Sequence, residues 1–153
     1  GGNLTFALLA YIKANELPMP ACAFTFAALT DMTNTAQSIT KNASKDCVLV
    51  ANRFDEMGRV YAPDQDLKSP YLSPIFADFT GAPPILMQAS DGEMLIDDSH
   101  AMLKVLTDQG VDVKLSAFDN CFHVFQILRG FVPEANHALT EVVAFIKQHA
   151  LKS

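Results

Sequence analysis

Two apolar runs of different character constrain the fold most. Residues 21–29 read Ala-Cys-Ala-Phe-Thr-Phe-Ala-Ala-Leu, and residues 84–89 read Pro-Ile-Leu-Met-Gln-Ala. Both are short, nearly continuous and bounded by proline or loop residues. This is the pattern of strands buried on both faces, as in a parallel sheet covered by helices. Between and beyond them the period changes to that of helices. Residues 3–16 place Leu4, Ala7, Leu8, Tyr11 and Ile12 at helical spacing, with Phe6, Leu9 and Ala10 filling the other side, which predicts a helix buried nearly all round. Pro18 and Pro20 end it. A third helix pattern runs from Asp97, an N-cap residue, to Gly110, a C′ residue, with Met102, Val105 and Leu106 inward.

Val111, Val113, Leu115 and Ala117 alternate with Asp112, Lys114 and Ser116, so the next strand has one wet face and belongs near a sheet edge. Pro133 opens a last helix whose stripe is Leu139, Val142, Val143 and Ile146. Residues 31–68 are polar and irregular, with one helix expected over 52–60, and the prolines of 69–74 predict loop. The order α-β-insert-β-α-β-α is half of a doubly wound α/β sheet. Three strands make a thin sheet, and Gly1-Gly2 leads straight into a helix without a methionine. The expectation is a chain that begins inside a domain.

Composition removes several function classes. The formal charge is −6 with no Lys/Arg run, which argues against a nucleic-acid partner. The longest apolar stretch, residues 4–12, is too short to span a bilayer and lacks the charged flank of a signal peptide. Cys22, Cys47 and Cys121 have no metal spacing; an odd, scattered set reads as reduced thiols in a cytoplasmic protein. No metal or organic cofactor is implied.

In open parallel sheets, reactive groups gather beyond the carboxyl ends of the strands. Three loops hold that position. One contains Asp31, expected to order its own turn through bonds to Thr33 or Asn34. The next reads Ser90-Asp91-Gly92-Glu93-Met94-Leu95-Ile96-Asp97-Asp98, and the last Asp119-Asn120-Cys121-Phe122-His123-Val124-Phe125. An acid after one strand and a histidine after the next follow the chain order Ser…Asp/Glu…His. Such chemistry needs both, because the imidazole takes the nucleophile's proton while the carboxylate fixes its tautomer. Cys121 lies two residues from His123 but has no elbow or helix N-terminus to make it a thiolate. His100, His137 and His149 fall on helix patterns as solvent-facing residues.

Four segments together resemble the bacterial hormone-sensitive-lipase-like esterases of the α/β-hydrolase fold. Gly1-Gly2-Asn3-Leu4 is similar to the tail of the family's nucleophile elbow, Ser69-Pro70-Tyr71-Leu72-Ser73-Pro74 with Gly81-Ala82-Pro83-Pro84 to its SPL…GLPP stretch, Glu93-Met94-Leu95-Ile96-Asp97-Asp98 to its acid motif, and Cys121-Phe122-His123-Val124-Phe125 to its histidine motif. The resemblance implies that residues 1–153 are the C-terminal half of the catalytic domain, with Gly1 and Gly2 the remnant of the elbow and the serine just upstream. It makes His123 the base and Glu93 the triad acid, where the family more often has aspartate. Asp91, two residues nearer the strand end, is the rival acid, and Asp97 a remoter one; Asp97 and Asp98 otherwise suit a helix cap and first turn. The implied activity is hydrolysis of short to medium acyl esters through an acyl-enzyme. The implied partners are a small ester, the N-terminal half of the same domain, and a second copy paired through the edge strand. Two alternatives stand beside it: a non-catalytic ligand-binding protein of the same fold, and an independent small α/β module.

Overall fold

The computed structural model describes residues 1–150, apart from the side chain of Asp55, so residues 151–153 of the expected domain lie outside the described residues. Helix α1 spans Gly2–Ala14, strand β1 Ala23–Phe26, α2 Ser38–Lys41, α3 Phe54–Tyr61, β2 Ile85–Ser90, α4 Ile96–Asp108, β3 Val113–Phe118 and α5 Pro133–Ala150. Short 3-10 turns occupy Ala51–Arg53, Pro74–Phe76 and Phe125–Leu128. The three strands are parallel in the order β1-β2-β3. This is the α/β architecture expected.

Strand β2 lies between its neighbours and is buried at every position, which accounts for its lack of alternation. Its side chains divide by period two. Ile85 and Met87 join Phe6, Leu9, Phe79, Met102 and Leu106 in the main core, so α1 and α4 cover one face. Gln88 points the other way and donates to Ala138 O at 2.9 Å, placing α5 on the opposite face. Gly110, at φ +75°, ends α4 as a C′ residue while the Val111 N–H reaches Leu106 O at 3.0 Å.

Several expectations are corrected. The first strand is four residues rather than nine and sits at a sheet edge. It ends where Ala27 turns left-handed at φ +45°, its N–H still bonded to Gln88 O at 2.8 Å. Phe24 remains 37% exposed at this edge, on the face whose centre α5 covers. Helix α1 is buried on one side only; Leu4, Leu8 and Tyr11 point outward at 61%, 57% and 49% exposure, since a single sheet face lies beneath the helix. Asp97 is not the N-cap of α4, a position taken by Leu95, but lies in its first turn.

In β3, Ala117 is exposed while Ser116 is half-buried, because the Ser116 hydroxyl donates to Glu141 at 2.7 Å. Helix α5 buries Ala135, Ala138 and Val142 and leaves Val143 exposed. Small alanines let α5 approach β2 closely, which rotates the buried stripe away from the larger residues. His149 is half-buried against Phe145 at 4.6 Å, whereas His100 and His137 are exposed.

The segment that follows β1 passes very close to the start of α1. A Cβ on Gly2 would stand 2.6 Å from Ala28 Cβ and 2.9 Å from Ala28 Cα, inside the distance real contacts allow. Gly2→Ala is therefore expected to destabilise the fold by about 1–3 kcal/mol, as overpacking against backbone does. Denaturant titration of the variant against the parent measures it.

Candidate active site

The acid and histidine loops leave adjacent strands that pair in register up to Ser90 and Phe118. Parallel pairing delivers both loops at the same end of the sheet. They are then laced together. The Ser90 hydroxyl donates to Cys121 O at 2.5 Å, the Asp91 N–H to Phe118 O at 3.1 Å, and the Asn120 N–H to Asp91 Oδ1 at 3.2 Å. Asn120 and Val124 adopt left-handed φ of 55° and 57°, so the chain turns sharply on either side of His123.

Glu93 is fully buried in its side chain, and its Oε2 lies 3.3 Å from Nδ1 of His123, whose ring is 17% exposed. Neither carboxyl oxygen nor Nδ1 completes a well-aligned hydrogen bond, so the pair approaches without a formed bond. Burial pushes the Glu93 carboxyl above its ordinary range; His123 pulls it back, and the nearby Asp46 adds to the rise. With Nδ1 turned to Glu93, Nε2 is the ring nitrogen left for a reactant. His123 lines a cleft of about 210 Å³ together with Gly1, Gly2, Leu49, Phe54 and Met57.

The structure thus brings Glu93, His123 and the Gly1-Gly2 segment to one place. Asp91 is exposed, and its carboxylate is engaged by the β3–α5 loop backbone rather than by the imidazole. Asp97 accepts the Ser38 N–H at 2.8 Å. Asp31 orders its own turn, accepting from the Thr33 N–H at 2.8 Å and the Thr35 hydroxyl at 2.6 Å. The Cys121 thiol is pushed up by burial and then by Glu134, Asp91 and Asp119, the reverse of what a thiolate nucleophile requires. Among the described residues, no group of three or more His, Cys, Asp or Glu side chains is gathered to hold a metal ion. No described helix is long and apolar enough to cross a membrane.

Sequence reasoning missed the cradle around the acid loop. The Ser38 hydroxyl donates to Met94 O at 2.6 Å, the Asn42 amide to Glu93 O at 3.0 Å, and the Met94 N–H to Asp46 Oδ2 at 3.0 Å. It also missed Asn3, whose amide bridges Leu29 O and Leu72 O, each at 2.9 Å. The one local signal was an aspartate two and three residues before Val48 and Leu49, the spacing of an Asx turn.

This architecture and loop arrangement define an α/β hydrolase, and the comparisons agree. The chain belongs to the alpha/beta hydrolase fold family, whose model matches residues 1–127. It is 27% identical over 147 residues to an acetyl-hydrolase of Streptomyces hygroscopicus, covering 96% of this chain and 49% of that protein. An esterase of Acinetobacter venetianus is 29% identical over 147 residues, with 95% and 48% covered. A crystal structure of an esterase from the bacterial hormone-sensitive lipase family superposes with a TM-score of 0.94 at 30% identity, over 97% of this chain and 50% of that one. The chain spans about half the length of the relatives it matches.

Asp98 shows what a purely structural carboxylate does here. It is 2% exposed, and its Oδ2 accepts the N–H groups of Thr30 and Asp31 at 2.6 and 3.1 Å. Burial nonetheless pushes its pKa from 3.8 up to about 6, against the pull of those bonds. The folded state therefore holds a proton that the unfolded chain has released, and stability falls as pH rises from near 3.8 to about 6. Asp98→Asn keeps an oxygen for both N–H groups and removes the titration. It is expected to flatten the pH dependence of the unfolding midpoint over that window, by on the order of 2 kcal/mol.

Proposed function

We propose that this chain is the C-terminal half of the catalytic domain of a serine carboxylesterase, with His123 as general base and Glu93 as triad acid. The observation that carries the reading is the approach of Glu93 to His123 beside a cleft that also exposes Gly1 and Gly2. The nucleophile is then the serine of a G-x-S-x-G elbow ending at Gly1. Its hydroxyl attacks the ester carbonyl as His123 Nε2 takes the proton. The tetrahedral intermediate collapses, the alcohol leaves with that proton, and water repeats the sequence on the acyl-enzyme. Glu93 holds the Nδ1–H tautomer and stabilises the imidazolium; its burial strengthens that attraction by lowering the local dielectric. Backbone N–H groups after the serine and in an upstream glycine loop supply the oxyanion hole. The reaction needs no metal or organic cofactor.

The apolar wall of Leu49, Phe54 and Met57 and the small cleft suit short to medium acyl groups. The relative named as an acetyl-hydrolase supports the short end of that range. The exposed Leu4, Leu8 and Tyr11 stripe and the outer edge of β1 favour an N-terminal half that completes the sheet. Strand β3, at the opposite edge, is the surface for pairing two copies. A cytoplasmic setting belongs to the same proposal and rests on the odd, scattered cysteines.

The test uses the full-length enzyme on p-nitrophenyl acetate and butyrate. His123→Ala is expected to lower kcat by about 10⁴-fold or more, and Glu93→Gln by about 10³–10⁴-fold. Asp91→Asn should stay near the parent. Retained turnover in His123→Ala would sink the mechanism, and equal losses at Glu93 and Asp91 would reopen the acid. A wild type without turnover would favour the ligand-binding alternative.

A further inference from the structure

Asp46 lies in the insert between β1 and β2, outside every motif that the resemblance covers, and it is 8% exposed. Its carboxylate has three backbone donors and, among the described residues, no cation within ion-pair distance. The donors divide between its two oxygens. Oδ1 accepts the N–H groups of Val48 and Leu49, both at 3.0 Å, which closes an Asx turn and aims Leu49 at the cleft. Oδ2 accepts the N–H of Met94 at 3.0 Å, the residue directly after Glu93. The Asn42 amide completes the hold on this backbone by donating to Glu93 O at 3.0 Å.

Burying a second carboxylate near Glu93 is costly, and the charge of Asp46 contributes to the raised pKa of Glu93. A neutral amide at position 46 would avoid that cost. It has a single acceptor oxygen, however, and so serves the turn or Met94 but not both. The double acceptor is what the position requires.

We infer that Asp46 is a positioning residue that couples the cleft wall to the triad acid, one carboxylate oxygen setting the turn that carries Leu49 and the other setting the backbone beside Glu93. The inference rests on the proposed triad. Glu93 has no hydrogen-bonded partner of its own to orient it. Its reach to His123 therefore depends on where the backbone of residues 93–94 is held, and Asp46 and Asn42 hold it. Small displacements of such a group are expensive in rate.

The two oxygens make separable predictions in the full-length enzyme. In Asp46→Asn the carbonyl takes the turn, where two N–H groups compete for it, and the amide faces the Met94 N–H donor to donor. The acid is loosened and the wall is kept: kcat per active site falls about tenfold, while the ratio of kcat/KM for butyrate over acetate is unchanged. Asp46→Ala frees both arms, so kcat falls at least as far and the ratio shifts as well.

Active sites are counted with a p-nitrophenyl phosphonate, so loss of folded protein is not read as loss of rate. Val142→Ala, a buried change in α5, is the control for general destabilisation and should alter neither kcat per site nor the ratio. If Asp46→Ala does not fold, the kcat of Asp46→Asn decides alone. An Asp46→Asn enzyme with parental kcat per site overturns the inference, as does a folded Asp46→Ala enzyme with the parental ratio. Either result beside an inactive His123→Ala leaves the triad standing, whereas an active His123→Ala enzyme removes the triad itself.

Discussion

Everything at the site depends on the parallel pairing of β2 with β3. In register from Ile85↔Val113 to Ser90↔Phe118, the two strands release their loops side by side. An antiparallel partner would have sent the histidine loop to the far end of the sheet. The pairing is then locked just past the strand ends by the Ser90 hydroxyl on Cys121 O and by Asp91 against the turn that follows β3. Position is thereby passed from backbone hydrogen bonds, which are rigid, to side chains that must be placed within a fraction of an ångström. The complete burial of β2 supplies the rigidity, since neither face is free to yield.

The buried carboxylates of this molecule separate into two kinds, and the separation is physical. Asp31, Asp46 and Asp98 each accept backbone N–H groups. Such bonds offset the cost of desolvating a negative charge and knit the irregular insert to β2 and α4. Neither carboxyl oxygen of Glu93 completes a well-aligned hydrogen bond, although its side chain is fully buried. What faces it is an imidazole. That contrast marks Glu93 out from its neighbours and is what the proposed role of triad acid draws on.

The legible part of the fold was the part written in short-range periodicity. The β2 run, the α4 boundaries near Gly110 and the Pro133 start of α5 follow from spacing and cap chemistry that act over a few residues. Where the expected burial failed, the cause was what the element packs against rather than its own spacing. Leu4, Leu8 and Tyr11 have the pattern of a helix buried on all sides, but burial depends on what lies opposite. Val143 has the size of a core residue, yet the alanines at 135 and 138 bring α5 down on another face. Ala27 carries no local signal for a left-handed turn; the chain leaves the sheet there because β1 has reached the end of its pairing with β2.

The sequence by itself determined the layer class, the chain order of acid and histidine, and the small residues at the start of α1. These are local or ordinal properties, readable without knowing what touches what. Which carboxylate faces the imidazole was decided only by the tertiary structure. Asp91 and Glu93 differ by two residues, and nothing local separates them. The loop's course, pinned by Ser38, Asn42 and Asp46 from the insert, turns Asp91 to solvent and buries Glu93 against His123. The same long-range contacts made a cleft wall of Leu49, Phe54 and Met57, from a polar stretch in which only the helix over 52–60 was expected. Hydrogen bonds between residues some fifty positions apart leave no trace in periodicity, because their partners are neighbours only once the sheet has formed.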